Sequence, residues 1–151
     1  MKRLFLLIWL PLMGVLSGCG YNEIQRLDEQ VKAAWSQTLN QYERRADLVP
    51  QLVSAVDAYM VNERAILTEV TQARAQVGQI RISVDDLDNP ELMARFERAQ
   101  GQLGSALSRL LAVSENYPQL KADGLFRDLM TQLEGTENRI DTERGSYVQA
   151  V

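Results

Sequence analysis

The sole cysteine, Cys19, follows Leu16-Ser17-Gly18 and is the strongest nucleophile the composition offers. Small residues at 17 and 18 let an extended backbone enter a peptidase, and the thiol can then accept a diacylglyceryl group. Ahead of it, Lys2 and Arg3 form a basic start, and Leu4 to Leu16 form an apolar run broken by Pro11 and Gly14. The run falls short of the roughly 20 apolar residues that cross a bilayer. The pattern implies a cleaved leader over residues 1–18 and a bacterial lipoprotein attached to the membrane through Cys19. An ordinary leader beside a chance cysteine and an uncleaved N-terminal anchor are the alternatives. Each buried acyl methylene contributes about 0.8 kcal/mol and stable attachment takes two or more chains, which a triacylated cysteine carrying chains such as palmitate would supply. Gly20 stands where an aspartate would resemble the inner-membrane retention signal of enterobacteria, so the expected site is the outer membrane, facing the periplasm.

A second set of residues could do chemistry because of where it sits. Glu63 and Arg74 fall on the apolar line of one helical segment, Glu137 and Arg144 fall on that of another, and Arg44, Arg45 and Asp47 cluster nearby. Burying one such charge alone costs several kcal/mol, so each is expected to meet an opposite charge or to reach a rim. Interhelical ion pairs that fix register are the leading expectation, and a polar groove for a ligand or partner helix is the sharper one. A catalytic pair of Glu63 with Glu137, or Asp47 as acid or base, defines the enzyme alternative, a cell-wall or lipid-modifying activity. Glycoside hydrolysis needs carboxylates about 5 to 9 Å apart across a cleft, which a slender bundle is not expected to offer.

Other chemistry lacks its residue types. The chain contains no histidine, which removes the commonest general base and transition-metal ligand. The Glu-x-x-His repeat of ferritin-like sites cannot be written, so no metal or cofactor is expected. Serines have no histidine to activate them. Gly101-Gln102-Leu103-Gly104 lies inside an apolar-periodic segment, so it is read as allowing close helix approach rather than as a phosphate cradle.

The elements that must position these residues read as helices. Ile24, Leu27, Val31, Ala34, Trp35, Thr38 and Tyr42 share one face. The pattern resumes from Val49 through Leu52, Val56, Met60, Leu67, Val70 and Val77. Asp47 can cap a new helix and Pro50 is tolerated in a first turn, so a tight turn near Ala46 is expected, with one helix kinked at Pro50 as the alternative. Gly78 ends this segment, and a polar linker delivers Asn89 as cap and Pro90 as first helical residue. A third helix runs from Leu92 through Leu103 to Val113 and closes at Tyr117-Pro118. A fourth carries Leu125, Phe126, Leu129, Leu133, Ile140, Tyr147 and Val148. Four amphipathic segments joined by short connections favour an all-α, antiparallel four-helix bundle over a coiled coil. The last residues are still in helical phase, so the chain is expected to be a fragment.

All 20 acidic residues follow Cys19, so removing Lys2 and Arg3 makes the net charge of −4 more negative. That sign argues against nucleic acid as a partner. Residues 19–151 suit one domain with one core.

Arg44-Arg45-Ala46-Asp47-Leu48-Val49-Pro50-Gln51-Leu52-Val53 resembles the signature of the LemA family of bacterial membrane-anchored proteins. Tyr21-Asn22, Ala34-Trp35, Glu63, Ala73-Arg74, Tyr117-Pro118, Leu120-Lys121-Ala122 and Thr136 to Ile140 fall where that family's pattern has them. Asn62 and Gln51 depart from its usual histidine and asparagine. The resemblance implies an antiparallel helical bundle on a membrane anchor, no assigned reaction, and an envelope protein as partner, with TPM-domain proteins one candidate. The expectation is therefore a non-enzymatic interaction or scaffold module of the cell envelope.

Overall fold

A computed structural model of the chain describes residues 18–151, with side chains from residue 21 onward. The leader over residues 1–18 and the acylation of Cys19 lie outside the described side chains. All regular structure among the described residues is helical: α1 (Gly18–Asp57), α2 (Arg64–Gln79), a single 3-10 turn (Val84–Asp86), α3 (Pro90–Ser114), the short α4 (Pro118–Ala122) and α5 (Gly124–Ala150).

The expected turn near Ala46 does not form. One helix of 40 residues passes straight through Pro50, a length of about 60 Å. Proline has no amide hydrogen, so the Ala46 carbonyl loses its partner four residues on. Arg74 of α2 supplies a replacement, its Nε donating to the Ala46 oxygen at 3.3 Å. Leu48, Val49 and Leu52 around the proline are all buried, so packing holds the helix where propensity alone would break it.

The reversal comes instead at residues 58–63, where Met60 donates to the Val56 carbonyl at 2.9 Å and Glu63 to the Met60 carbonyl at 3.1 Å. No glycine or proline marks this bend; Met60, fully buried, anchors it. The later boundaries follow local chemistry. Asn89 accepts from the Leu92 amide at 3.0 Å with Pro90 opening α3. Asp123 accepts from the Phe126 amide at 2.9 Å to start α5.

Helix α1 packs on both α5 and α2, and α2 packs on α3. Trp35 meets Tyr147, Arg45 meets Glu137 and Tyr59 meets Asp123, so α1 and α5 run antiparallel. The larger core includes Leu52, Val56, Met60, Val70, Leu103, Leu110 and Leu133. A smaller cluster joins Trp35, Tyr42, Phe96 and Ile140, with Phe96 edge-on to both Trp35 and Tyr42. The α2–α3 connection is less polar than expected, because Ile80, Ile82, Val84 and Leu87 pack on this cluster. Several residues assigned to the inner face are exposed: Ile24 and Leu27 on the first turns of α1, and Leu125 and Val148 on α5. Residues 21–30 project past Tyr147, and no described element covers them.

Gly101 is exposed, and a methyl built on it would touch nothing within 4 Å. The expected close helix approach is therefore not used there. Gly101→Ala should stabilise the chain by about 1 kcal/mol through helix propensity, read as a higher urea midpoint at unchanged slope. No gain would mean that another body occupies that surface.

Candidate functional site

Tyr42, Arg45, Leu48 and Val49 recur at helical spacing on the buried side of α1, which carries the Arg45 guanidinium into the interior. Arg45 is 4% exposed. Its Nη1 donates to both carboxylate oxygens of Glu137 on α5 at 3.0 Å. Its Nη2 donates to the Gln100 backbone carbonyl on α3 at 3.0 Å and to the Gln100 side-chain oxygen at 2.6 Å. The guanidinium also lies 5.2 Å from the centre of the Tyr42 ring, within cation–π range. One buried cation thus ties α1, α3 and α5 together, with only Nε left without a partner.

Helical rotation separates the expected cluster of Arg44, Arg45 and Asp47. Arg44 and Asp47 are exposed while Arg45 points inward. Arg144 reaches Glu97 at 3.4 Å near the surface. Arg74 meets a carbonyl instead of a carboxylate. Glu63 immediately precedes α2 and does not lie within a helix; it accepts from the Tyr117 hydroxyl at 3.3 Å. Interhelical ion pairs form between Arg45 and Glu137 and between Arg144 and Glu97. Glu63 and Glu137 are engaged by different partners in different parts of the fold, so the geometry does not assemble them as an acid–base pair.

Asp123 carries a further polar link. Its second oxygen accepts from the Tyr59 hydroxyl at 3.1 Å, tying the end of α1 to the start of α5. The Phe126 amide, with help from Tyr59, holds the Asp123 carboxyl below its ordinary range. The bonded carboxylate in turn raises the Tyr59 hydroxyl, and burial followed by the charge of Glu63 raises Tyr117. A depressed carboxyl stabilises the fold above the unfolded value near 3.8 and loses that contribution as pH falls below it. The raised tyrosines contribute below pH 10 and lose that contribution as pH climbs past it. Melting temperature should therefore be flat at neutral pH and fall on both sides. Asp123→Asn, which keeps a capping oxygen, should soften the acid limb; an unaltered limb would place the acid sensitivity elsewhere.

Contrary to the expectation of a cleftless bundle, a cleft of about 690 Å³ opens between α1, the end of α2, the following connection and α3. Tyr42 and Phe96 supply apolar lining, and Gln100 joins it to the Arg45 site. Glu43 and Asp47 reach it from α1, and Arg74 and Arg81 from α2 and the connection. Gln100, Glu43 and Arg81 were not among the expected site residues. Gln100 was detectable by the rule that found Glu63, since it sits four residues from Phe96 on an apolar line. Among the described residues no group of three or more acidic, cysteine or histidine side chains could hold a metal, and no helix is long and apolar enough to cross a membrane.

Among the described residues, long packed helices are cross-tied by one buried arginine, with an open cleft beside the tie. Residues 34–151 match the model of the LemA family, and the chain belongs to that family. It is also similar to magnetosome protein MamQ 1 and magnetosome protein MamQ 2 of Paramagnetospirillum magneticum. Each is 43% identical over 49 residues, which is 32% of this chain and 18% of the relative.

Proposed function

We propose that this chain is a non-enzymatic interaction module of the bacterial cell envelope, an antiparallel four-helix bundle over residues 19–151. A lipid on Cys19 holds it to the outer membrane, facing the periplasm, after a leader over residues 1–18 is removed. Membership of the LemA family and similarity to two magnetosome proteins support a membrane-associated setting. The observation that carries the reading is the engagement of Arg45 by Glu137 and Gln100. The buried charge is bound up in rigidifying the frame, while the four charged side chains of the adjacent cleft make no ion pair with one another. A frame of this kind presents a surface; the two carboxylates of its cleft, Glu43 and Asp47, stand on one wall of it and not on either side of a reacting bond. The partner is an envelope protein, with TPM-domain proteins the first class to try.

Two measurements test this. Labelled palmitate should enter the wild-type chain and not Cys19→Ser, and Cys19→Ser should leave the outer-membrane fraction with its helical circular dichroism unchanged. Equal labelling or unchanged fractionation would overturn the anchor. In-cell crosslinking of the full lipidated chain should then recover one recurrent envelope protein. Recovery of glycan or lipid fragments alone would overturn the interaction module.

A further inference from the structure

We infer that the cleft beside Arg45 binds a peptide segment that carries a cationic and an acidic side chain on either side of an apolar one. The inference deepens the interaction-module reading and rests on it.

The floor comes first. Half-buried Leu39, Ile80 and Ile82 line the cleft over the buried edge-to-face pair of Tyr42 and Phe96, whose centroids lie 5.3 Å apart, a surface suited to one apolar side chain. Gln100 lies beside them and is 4% exposed. Arginine can only donate, so the Gln100 oxygen must face Arg45, as the 2.6 Å contact requires. Its amide nitrogen is then the free end, and it makes no hydrogen bond to any described residue. That donor is open to the cleft, where a peptide carbonyl is a neutral acceptor that fits it.

The walls supply the charge pattern. Glu43 and Asp47 are one turn apart on α1 and both exposed. Arg81 is exposed on the opposite wall, and Arg74 is fixed there through its Nε, which leaves its two terminal nitrogens for other acceptors. Here two acids face two arginines without an ion pair among them. The acids disfavour a polyanion such as nucleic acid or an anionic lipid surface, and the arginines disfavour a polycation. A peptide with one charge of each sign satisfies both walls, and the volume of about 690 Å³ falls in the range of small-ligand sites.

The test uses the full lipidated chain in neutral detergent micelles, with methyl NMR resonances as the readout. The probe is the capped pentapeptide Ala-Lys-Phe-Glu-Ala, compared with capped Ala-Ala-Phe-Ala-Ala. The charged probe should saturate shifts at Leu39, Val77, Ile80 and Ile82 and bind at least tenfold more tightly than the neutral one. Arg81→Glu and Glu43→Lys, each at an exposed position outside the Arg45 tie, should each weaken it by at least fivefold. Rising salt should weaken it as well. Equal binding of the two peptides, shifts centred elsewhere, or no saturation at 10 mM would overturn the assignment. A chain that fails these tests while still crosslinking to one envelope protein would sink the cleft assignment and leave the module reading standing.

Discussion

Glu137→Ala is expected to destabilise the chain by about 3 kcal/mol, despite lying on a helix face that meets solvent. The side chain of Glu137 is 41% exposed, but that of its partner Arg45 is only 5% exposed. Removing the carboxylate leaves a buried guanidinium neutralised by nothing closer than the Gln100 oxygens. The lower end of the range for a broken buried pair applies, because water can enter from the Glu137 side. An exposed pair would cost about 0 to 1 kcal/mol, so the two interpretations are well separated in a urea titration. A second variant gives a test of sign. Arg45→Met removes the buried charge and keeps an apolar chain of similar length, so adding it to Glu137→Ala should recover part of the lost stability. A loss below about 1 kcal/mol for Glu137→Ala, or a further loss on adding Arg45→Met, would mean that the tie is a surface pair in disguise.

Pro50→Ala is expected to raise stability by roughly 1 to 2 kcal/mol. A proline inside a helix costs about 3 kcal/mol relative to alanine, and two effects reduce the gain on replacing it. Arg74 already satisfies the Ala46 carbonyl, and proline restricts the unfolded chain by an amount that alanine gives back. The more telling result is the coupling. With Pro50 present, Arg74→Ala hands the exposed Ala46 carbonyl back to water, at a cost of about 0.5 to 1 kcal/mol. With alanine at position 50, the restored amide takes that carbonyl, and Arg74→Ala should become nearly neutral. A double-mutant cycle reads the difference directly. Additive effects would show that Arg74 does not act through the carbonyl.

Much of the molecule was legible in the sequence because the controlling forces are local. Apolar spacing of three and four gave α3 and α5 and the helical character of the chain before them, and the Asn89 and Pro90 pair opened α3 as its capping chemistry requires. Two misreadings trace to non-local causes. Pro50 looked like a first-turn residue because a mid-helix proline is normally excluded, and the donor that makes it tolerable lies on another helix, 28 positions from the Ala46 carbonyl it serves. The true bend at residues 58–63 carries no glycine or proline, and burial of Met60 and the Tyr59 link to Asp123 hold it from outside. The false turn also grouped Arg45 with Arg44 and Asp47, whereas its place on the stripe of Tyr42 and Leu48 is plain once α1 is read as continuous.

The sequence by itself determined the helical character, the candidate lipid-bearing cysteine, the family resemblance and the presence of charges on apolar lines. Those follow from periodicity, short motifs and side-chain chemistry, which act within a few residues. Only the tertiary structure decided which charge is buried and which partner it takes. Arg45 and Glu137 stand 92 positions apart, and their meeting depends on how α1 and α5 are rotated and staggered against each other. The cleft arises in the same way, from the packing of α1, α2, its connection and α3, because no one of these segments encloses a volume alone.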